Sequence, residues 1–193
     1  MEKELKEALE QLDLSFDERV YKNVFSNKNN KTLSETLSHR RYHTLKSNTE
    51  KNYSSYLNMP LGRFILLLKQ NEDDFYKLFL NKYGDAVYSR FWLVNSRDFT
   101  KKGVYFYKLN NKIVYVGRCK DNMKKRINSG YGKVTPKNCF RDGQSTNCRL
   151  NSLITKHQSR VSLQLYALED DAKIVELEKK YIHDLKPIWN IQK

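Results

Sequence analysis

The sequence predicts an α+β protein: a helical first half, then a small antiparallel sheet flanked by helices. Three observations predict it. Apolar residues recur at helical spacing through the first hundred positions, with S/T-x-x-E capping boxes at Ser15/Glu18 and Thr32/Glu35. Residues 104–109 and 113–116 are tyrosine-rich β-formers separated by Asn110-Asn111, a pair that tolerates the positive φ of a tight turn. Residues 161–168 then alternate apolar with polar before an amphipathic stretch over 171–185.

In chain order, Leu5, Ala8, Leu9 and Leu12 share a helical face. The Ser15 box opens a second helix with Val20, Tyr21, Val24 and Phe25 on one side, and residues 26–31 form a polar connector. Thr32 opens a third helix through Leu33 and Leu37 towards the basic run His39, Arg40, Arg41. Pro60 suits the first turn of an apolar helix through Leu68. Asn71 is placed to cap another, with Gly84 at its end, and residues 86–94 fit helix or strand equally. After the hairpin, residues 120–129 read as a helix stopped by Gly130, and residues 130–146 as a long polar loop. Residues 147–157 then carry Leu150, Leu153, Ile154 and His157 on one helical face. The expected organisation is a helical region over 1–95 and a second module over 100–193 with a polar insertion at about 130–150.

Composition narrows the function. With 39% apolar residues the chain can build a core. No stretch approaches the roughly 20 apolar residues of a membrane span, and the charged N-terminus lacks a signal-peptide core, so a cytoplasmic protein without membrane attachment is expected. Cys119, Cys139 and Cys148 form no CxxC pair, and an odd count argues against a disulfide framework. The net charge of +14 is concentrated: residues 101–160 hold 15 Lys/Arg against two acids. Such a block suits a polyanion, because each neutralised phosphate releases counterions.

Chemistry-bearing residues follow from periodicity. On the last helix the apolar series 175, 182, 185 is completed by position 178, which is Glu178. A carboxylate on an inward stripe is costly unless paired, so Glu178 is either a metal ligand or the partner of a buried arginine. Glu176 falls on the outward face with Lys180 and His183. The hairpin carries Tyr105, Tyr107 and Tyr115, for which core packing is the ordinary explanation. Gly117 permits close approach. Arg126 borders the Met123/Ile127 apolar face and suits either a phosphate or simple stem packing.

Taken together, Gly103-Val104-Tyr105, Tyr115-Val116-Gly117 ten residues on, the Lys124-Lys125-Arg126-Ile127 helix, and Glu178 with Pro187 and Asn190 resemble the ordered motifs of the GIY-YIG nucleases. The resemblance spans residues 103–190, a little under half the chain. It implies a DNA endonuclease using one Mg²⁺ or Mn²⁺ ion per site on double-stranded DNA. By that resemblance Glu178 would hold the metal and Tyr105 would take or relay the proton of the attacking water. Tyr115 would orient water or phosphate, Arg126 would bind the scissile phosphate, and Asn190 would brace the site. Many relatives carry a Tyr or His four residues after the arginine; here Gly130 stands at that place, with Tyr131 one step later.

Arg118, Lys124, Lys125, Lys133, Arg141, Gln144, Asn147 and Arg149 are the candidate DNA contacts, the last five lying in a polar insertion similar to that of the family's small type II restriction enzymes. Arg, Asn and Gln read base edges, so the insertion serves either sequence choice or phosphate contact alone. A restriction enzyme is the leading expectation. A mobile-element or repair nuclease, and a catalytically silent nucleic-acid-binding protein, are the alternatives. The region 1–95 is open to DNA clasping, a homodimer interface or another protein.

Overall fold

Residues 8–28 and 31–191 are described by the computed structural model. In chain order the elements are β1 (Glu10–Leu12), β2 (Leu14–Tyr21), α1 (Leu33–Leu37), α2 (His43–Asn52), α3 (Leu61–Gln70), β3 (Tyr88–Leu93), β4 (Gly103–Leu109), β5 (Lys112–Cys119), a π-helix (Lys125–Tyr131), α4 (Pro136–Cys139), α5 (Ser145–His157), β6 (Val161–Ala167) and α6 (Asp171–Leu185), with short 3₁₀ turns between. The class is α+β, with antiparallel pairing throughout the four-stranded sheet. Among the described residues, no helix is long and apolar enough to cross a membrane.

The chain forms two compact units that interleave along the sequence. The sheet unit takes residues 8–19, 89–133 and 153–191, and the helical unit takes residues 20–88 and 134–152. This division differs from a single boundary near residues 95–100. The early strands and β3 contribute to the sheet unit, and the expected insertion belongs to the helical unit.

In the sheet unit the strand order is β1-β6-β4-β5, leaving β5 at an edge. Asn110 and Asn111 make the β4–β5 turn with φ of 49° and 64°, the twist that closes a two-residue hairpin. Alternation sends Val104, Phe106 and Val116 to one face, where Ile174 and Tyr181 of α6 pack against them. Phe106 and Tyr181 meet edge-on at 5.4 Å. Tyr105, Tyr107 and Tyr115 occupy the opposite face.

The helical unit is an aromatic core around Phe25, Tyr42, Phe64, Phe79 and Tyr88. The Thr32/Glu35 capping box is formed as expected, reciprocal bonds included. Residues 134–152 are not a free polar loop. Thr135 and Asn138 form a second capping box for α4, and Cys139, Phe140 and Cys148 are buried in this core. Asn81 fastens the segment by donating to the carbonyls of Asn138, Cys139 and Phe140 at 2.6, 3.0 and 3.2 Å.

Several local expectations are corrected. The Ser15/Glu18 box opens no helix, because residues 14–21 pair with β3 as a two-stranded ribbon in which Phe16 and Phe91 meet at 5.5 Å. Tertiary pairing overrides the local capping signal. The helical reading of Leu5 lies outside the described residues, and Leu12 is a buried strand residue. Residues 88–93 are strand. Asn71 ends α3, while Asp73 caps the following 3₁₀ turn. Gly84 does not end that turn, which stops at Leu80.

Candidate active site

The site is built from the tyrosine face of the hairpin outward. Tyr105 stands opposite Gly117, and a Cβ on Gly117 would lie 2.4 Å from the Tyr105 hydroxyl. The glycine is therefore the condition for the Tyr105 ring to lie across β5. Gly103, at φ 147°, would drive a Cβ into the Tyr166 carbonyl at 2.0 Å, so it permits the close β4–β6 approach that begins the motif.

Tyr131 arrives from the π-helix. The expectation that the helix stops at Gly130 is overturned: it runs through Gly130 to Tyr131. Asn122 Oδ1 accepts the Lys125 N–H at its start, at 2.7 Å. At its end Gly132 N–H donates to the Ile127 carbonyl at 2.6 Å, a span of five residues. A π-helix absorbs one extra residue per turn, so the fifth residue after Arg126 takes the place that the fourth takes on an α-helix. Strand β3 holds this geometry, since Phe91 N–H donates to the Gly132 carbonyl at 3.2 Å and Leu93 N–H to Asn128 Oδ1 at 2.9 Å.

The result is a phenol cluster. The Tyr105 and Tyr131 hydroxyls lie 2.8 Å apart, and those of Tyr115 and Tyr131 3.5 Å apart. The Arg126 guanidinium sits 5.9 Å from the Tyr131 ring centre. Burial, the largest cause, raises Tyr105 well above the ordinary phenol value, the neighbouring phenols add to it, and Arg126 opposes it without prevailing. Tyr115 is raised in the same way, with Glu178 contributing. At neutral pH Tyr105 and Tyr115 are neutral phenols.

Glu178 is half-buried on the inward side of α6, and Glu176, Lys180 and His183 are exposed, as periodicity requires. Arg118 Nη1 donates to Glu178 Oε2 at 2.5 Å. Burial raises the Glu178 carboxyl above its ordinary value, while Arg118 and then Arg126 pull it down. Arg126 thus bears on both the phenols and the carboxylate, which makes them one electrostatic neighbourhood. Among the described residues no group of three or more His, Cys, Asp or Glu converges as a metal cage.

Asn190 clamps the exposed edge of β5. Its side chain donates to the Val116 carbonyl at 2.8 Å and accepts the Val116 N–H at 2.9 Å, satisfying the orphan groups of an edge strand. On the same edge the Val114 carbonyl accepts Trp189 N–H at 2.7 Å.

The candidate DNA contacts divide between the units. Arg118, Lys124, Lys125 and Lys133 are in the sheet unit, and Arg141, Gln144, Asn147 and Arg149 in the helical unit. Arg118 is engaged by Glu178, Lys125 pairs with Asp121 at 2.7 Å, and Lys124 lies 4.8 Å from the Phe99 ring centre. Lys133, Arg141 and Gln144 are exposed. Asn147 donates to Gln144 at 2.8 Å, and Arg149 sits 5.9 Å from the Tyr83 ring centre. Sequence reasoning left an arginine partner open as one of two readings of Glu178 without naming Arg118, which fills it, and read Tyr107 as core packing without placing it in the cluster. The one available signal for Tyr107 was its position two residues after Tyr105 on the same strand face. Comparison of the chain with family models, with curated proteins and with solved structures finds no match in any of the three.

Proposed function

We propose that the protein is a DNA endonuclease of the GIY-YIG type, hydrolysing phosphodiester bonds, with restriction as its leading role. The observation that carries this reading is the Tyr105–Tyr131–Tyr115 cluster beside Arg126, in electrostatic reach of Glu178. Motifs that resemble one family in sequence order thus meet in one neighbourhood, and Tyr131 joins them through a helix type that the sequence spacing alone does not disclose.

The residues fit a single divalent ion held by one carboxylate. Glu178 is half-buried and destabilised as an anion, so it gains from a cation, and Mg²⁺ tolerates one protein ligand because it keeps most of its waters. Bound there, Mg²⁺ or Mn²⁺ would supply neutralisation of charge at a phosphoryl oxygen. Arg118 now supplies that neutralisation to Glu178 and would have to share or yield it. Arg126, a planar fork, is suited to the scissile phosphate. The phenols relay rather than abstract: a neutral Tyr105 accepts a proton as it passes its own to Tyr131, Tyr131 passes one to Tyr115, and the partly exposed Tyr115 releases one to solvent. Asn190 and Gly117 keep β5 in register with the cluster.

The test is purified protein incubated with supercoiled plasmid and Mg²⁺, against a chelator control. Cleavage that requires the metal supports the reading, and intact plasmid with either Mg²⁺ or Mn²⁺ rejects it. Discrete bands would favour restriction. If Gln144→Ala, Asn147→Ala and Arg149→Ala together leave the bands unchanged, the 134–152 segment does not choose the target.

A further inference from the structure

Four phenols share the tyrosine face, and one differs from the rest. Tyr107 is fully buried, yet its hydroxyl has no hydrogen-bond partner among the described residues. Its ring centre lies 6.2 Å from those of Tyr105 and Tyr115, and it stands directly across the hairpin from Tyr115. Tyr131, Tyr115 and Arg126 are the titratable and charged groups that bear on it. A buried hydroxyl without a partner costs free energy that a phenylalanine of similar volume avoids. The other orphaned atom, Gln164 Oε1, belongs to a residue paired with Phe106, which places it on the face covered by α6 and away from the phenols. The defect at Tyr107 is therefore particular to the cluster. Tyr115 is also the least firmly held of the three linked phenols, its contact with Tyr131 being the 3.5 Å one.

We propose that Tyr107 is a positioning residue whose hydroxyl donates to the Tyr115 oxygen when that phenol carries negative charge during proton transfer. The inference rests on the nuclease reading of the site. In a relay, each phenol oxygen that hands on its proton keeps the electron pair until the next proton arrives. A donor beside it stabilises that moment and leaves the resting state underbonded. Tyr107 itself makes and breaks no covalent bond. Donors aimed at developing rather than resting charge are what lower a barrier.

The experiment is Tyr107→Phe in the full chain, measured by thermal melting and by steady-state plasmid cleavage in Mg²⁺. The melting midpoint should rise by about 2–4 °C for each kcal/mol of relieved desolvation. The kcat should fall by roughly tenfold or more with KM little changed, the pattern of an interaction made only in the transition state. A raised midpoint with full kcat would make Tyr107 an inert packing defect and overturn the inference. A lowered midpoint would mean that the hydroxyl is satisfied in solution and serves stability, which also overturns it. A change confined to KM would assign it to substrate binding instead, again against the proposal. If the unmodified chain cuts no DNA with either metal, the nuclease reading falls and takes this inference with it. Cutting by the unmodified chain with an unimpaired Tyr107→Phe removes this inference alone.

Discussion

The two units use tyrosine in opposite ways. In the helical unit the hydroxyls end on fixed acceptors. Tyr42 donates to Asp142 at 2.6 Å, Tyr53 to Asp73 at 2.6 Å and Tyr76 to Asp85 at 2.9 Å. In the sheet unit Tyr105, Tyr115 and Tyr131 face one another and Arg126, and Tyr107 is left without a partner. Burial raises Tyr42 and Tyr76 as it raises Tyr105 and Tyr115, but the partners differ. In the helical unit a bond to a carboxylate adds to burial, and at Tyr53 it leads, whereas at Tyr105 and Tyr115 neighbouring phenols add and Arg126 opposes. A phenol bonded to a carboxylate has one low-energy arrangement and serves as a strut. Phenols bonded to phenols can exchange donor and acceptor roles at little cost, which is what proton movement needs. On the proposed reading, chemistry lies in the sheet unit and architecture in the helical one, and each experiment below can break that contrast.

The largest effect is expected at Glu178. Glu178→Gln keeps the volume and removes the charge, so cleavage should fall to background while DNA binding in a gel shift persists or tightens. Full activity in Mg²⁺ would remove the carboxylate from the chemistry. Glu176→Gln, on the exposed side of α6, is the matched control and should change little.

Next in size is Tyr105→Phe, which removes the hydroxyl at one end of the linked cluster. Proton-transfer groups contribute on the order of 10²- to 10⁴-fold, so the rate should fall within that range at unchanged fold. Tyr42→Phe is its counterpart in the helical unit. It should lower the melting midpoint by stranding Asp142, with kcat intact below the melt. If Tyr42→Phe slowed turnover as much as Tyr105→Phe, the contrast between struts and relays would collapse.

A third experiment addresses register. Inserting one alanine after Gly130 adds a residue to a turn that already holds one extra, rotating Tyr131 by roughly 100° about the helix axis. Misplacement on this scale should cost on the order of 10²-fold in rate. Deleting Gly130 should instead convert the π turn to an α turn and keep Tyr131 on the same face, with cleavage retained. If deletion and insertion are equally damaging, the placement of Tyr131 owes nothing to the π geometry.

These experiments also mark what was legible in the sequence. The last helix was readable to the residue, 171–185, from its long amphipathic period, and the structure adds the Asp170 cap. Glu178 stood out because a carboxylate interrupted that period, and the hairpin because Asn110-Asn111 dictates its turn. The π-helix was not legible, since spacing rules assume 3.6 residues per turn and Tyr131 simply looked displaced. Strand β2 was hidden by a genuine Ser-x-x-Glu pattern whose helical preference loses to pairing with β3. Residues 130–146 looked like a surface loop because their polar residues outnumber Tyr131, Cys139 and Phe140, the apolar ones that are buried. Each failure is a case in which contacts distant in sequence outweigh local preference.

The smallest expected effect concerns alkaline pH and sharpens the comparison from the helical side. Tyr53 is pushed up to about 12, first by its hydrogen bond to Asp73 and then by burial. Tyr76 is pushed up to about 12 as well, by burial first and then by its bond to Asp85. Unfolded tyrosine titrates near about 10, so in both cases the fold favours the neutral phenol. Stability from these groups is therefore fully present below about pH 10 and is lost as pH rises from there towards about 12. Lysines titrate in the same window, and Lys69 is itself bonded to Asp85, so the raw pH dependence is shared. The difference between the unmodified chain and Tyr53→Phe isolates the phenol. The variant should be less stable near neutrality and should lose less stability across the alkaline window. Denaturant melts at stepped pH would show the two curves converging as pH rises. Parallel curves would mean that the Tyr53–Asp73 bond contributes nothing to the fold, and the view of the helical-unit tyrosines as struts would lose one of its three supports.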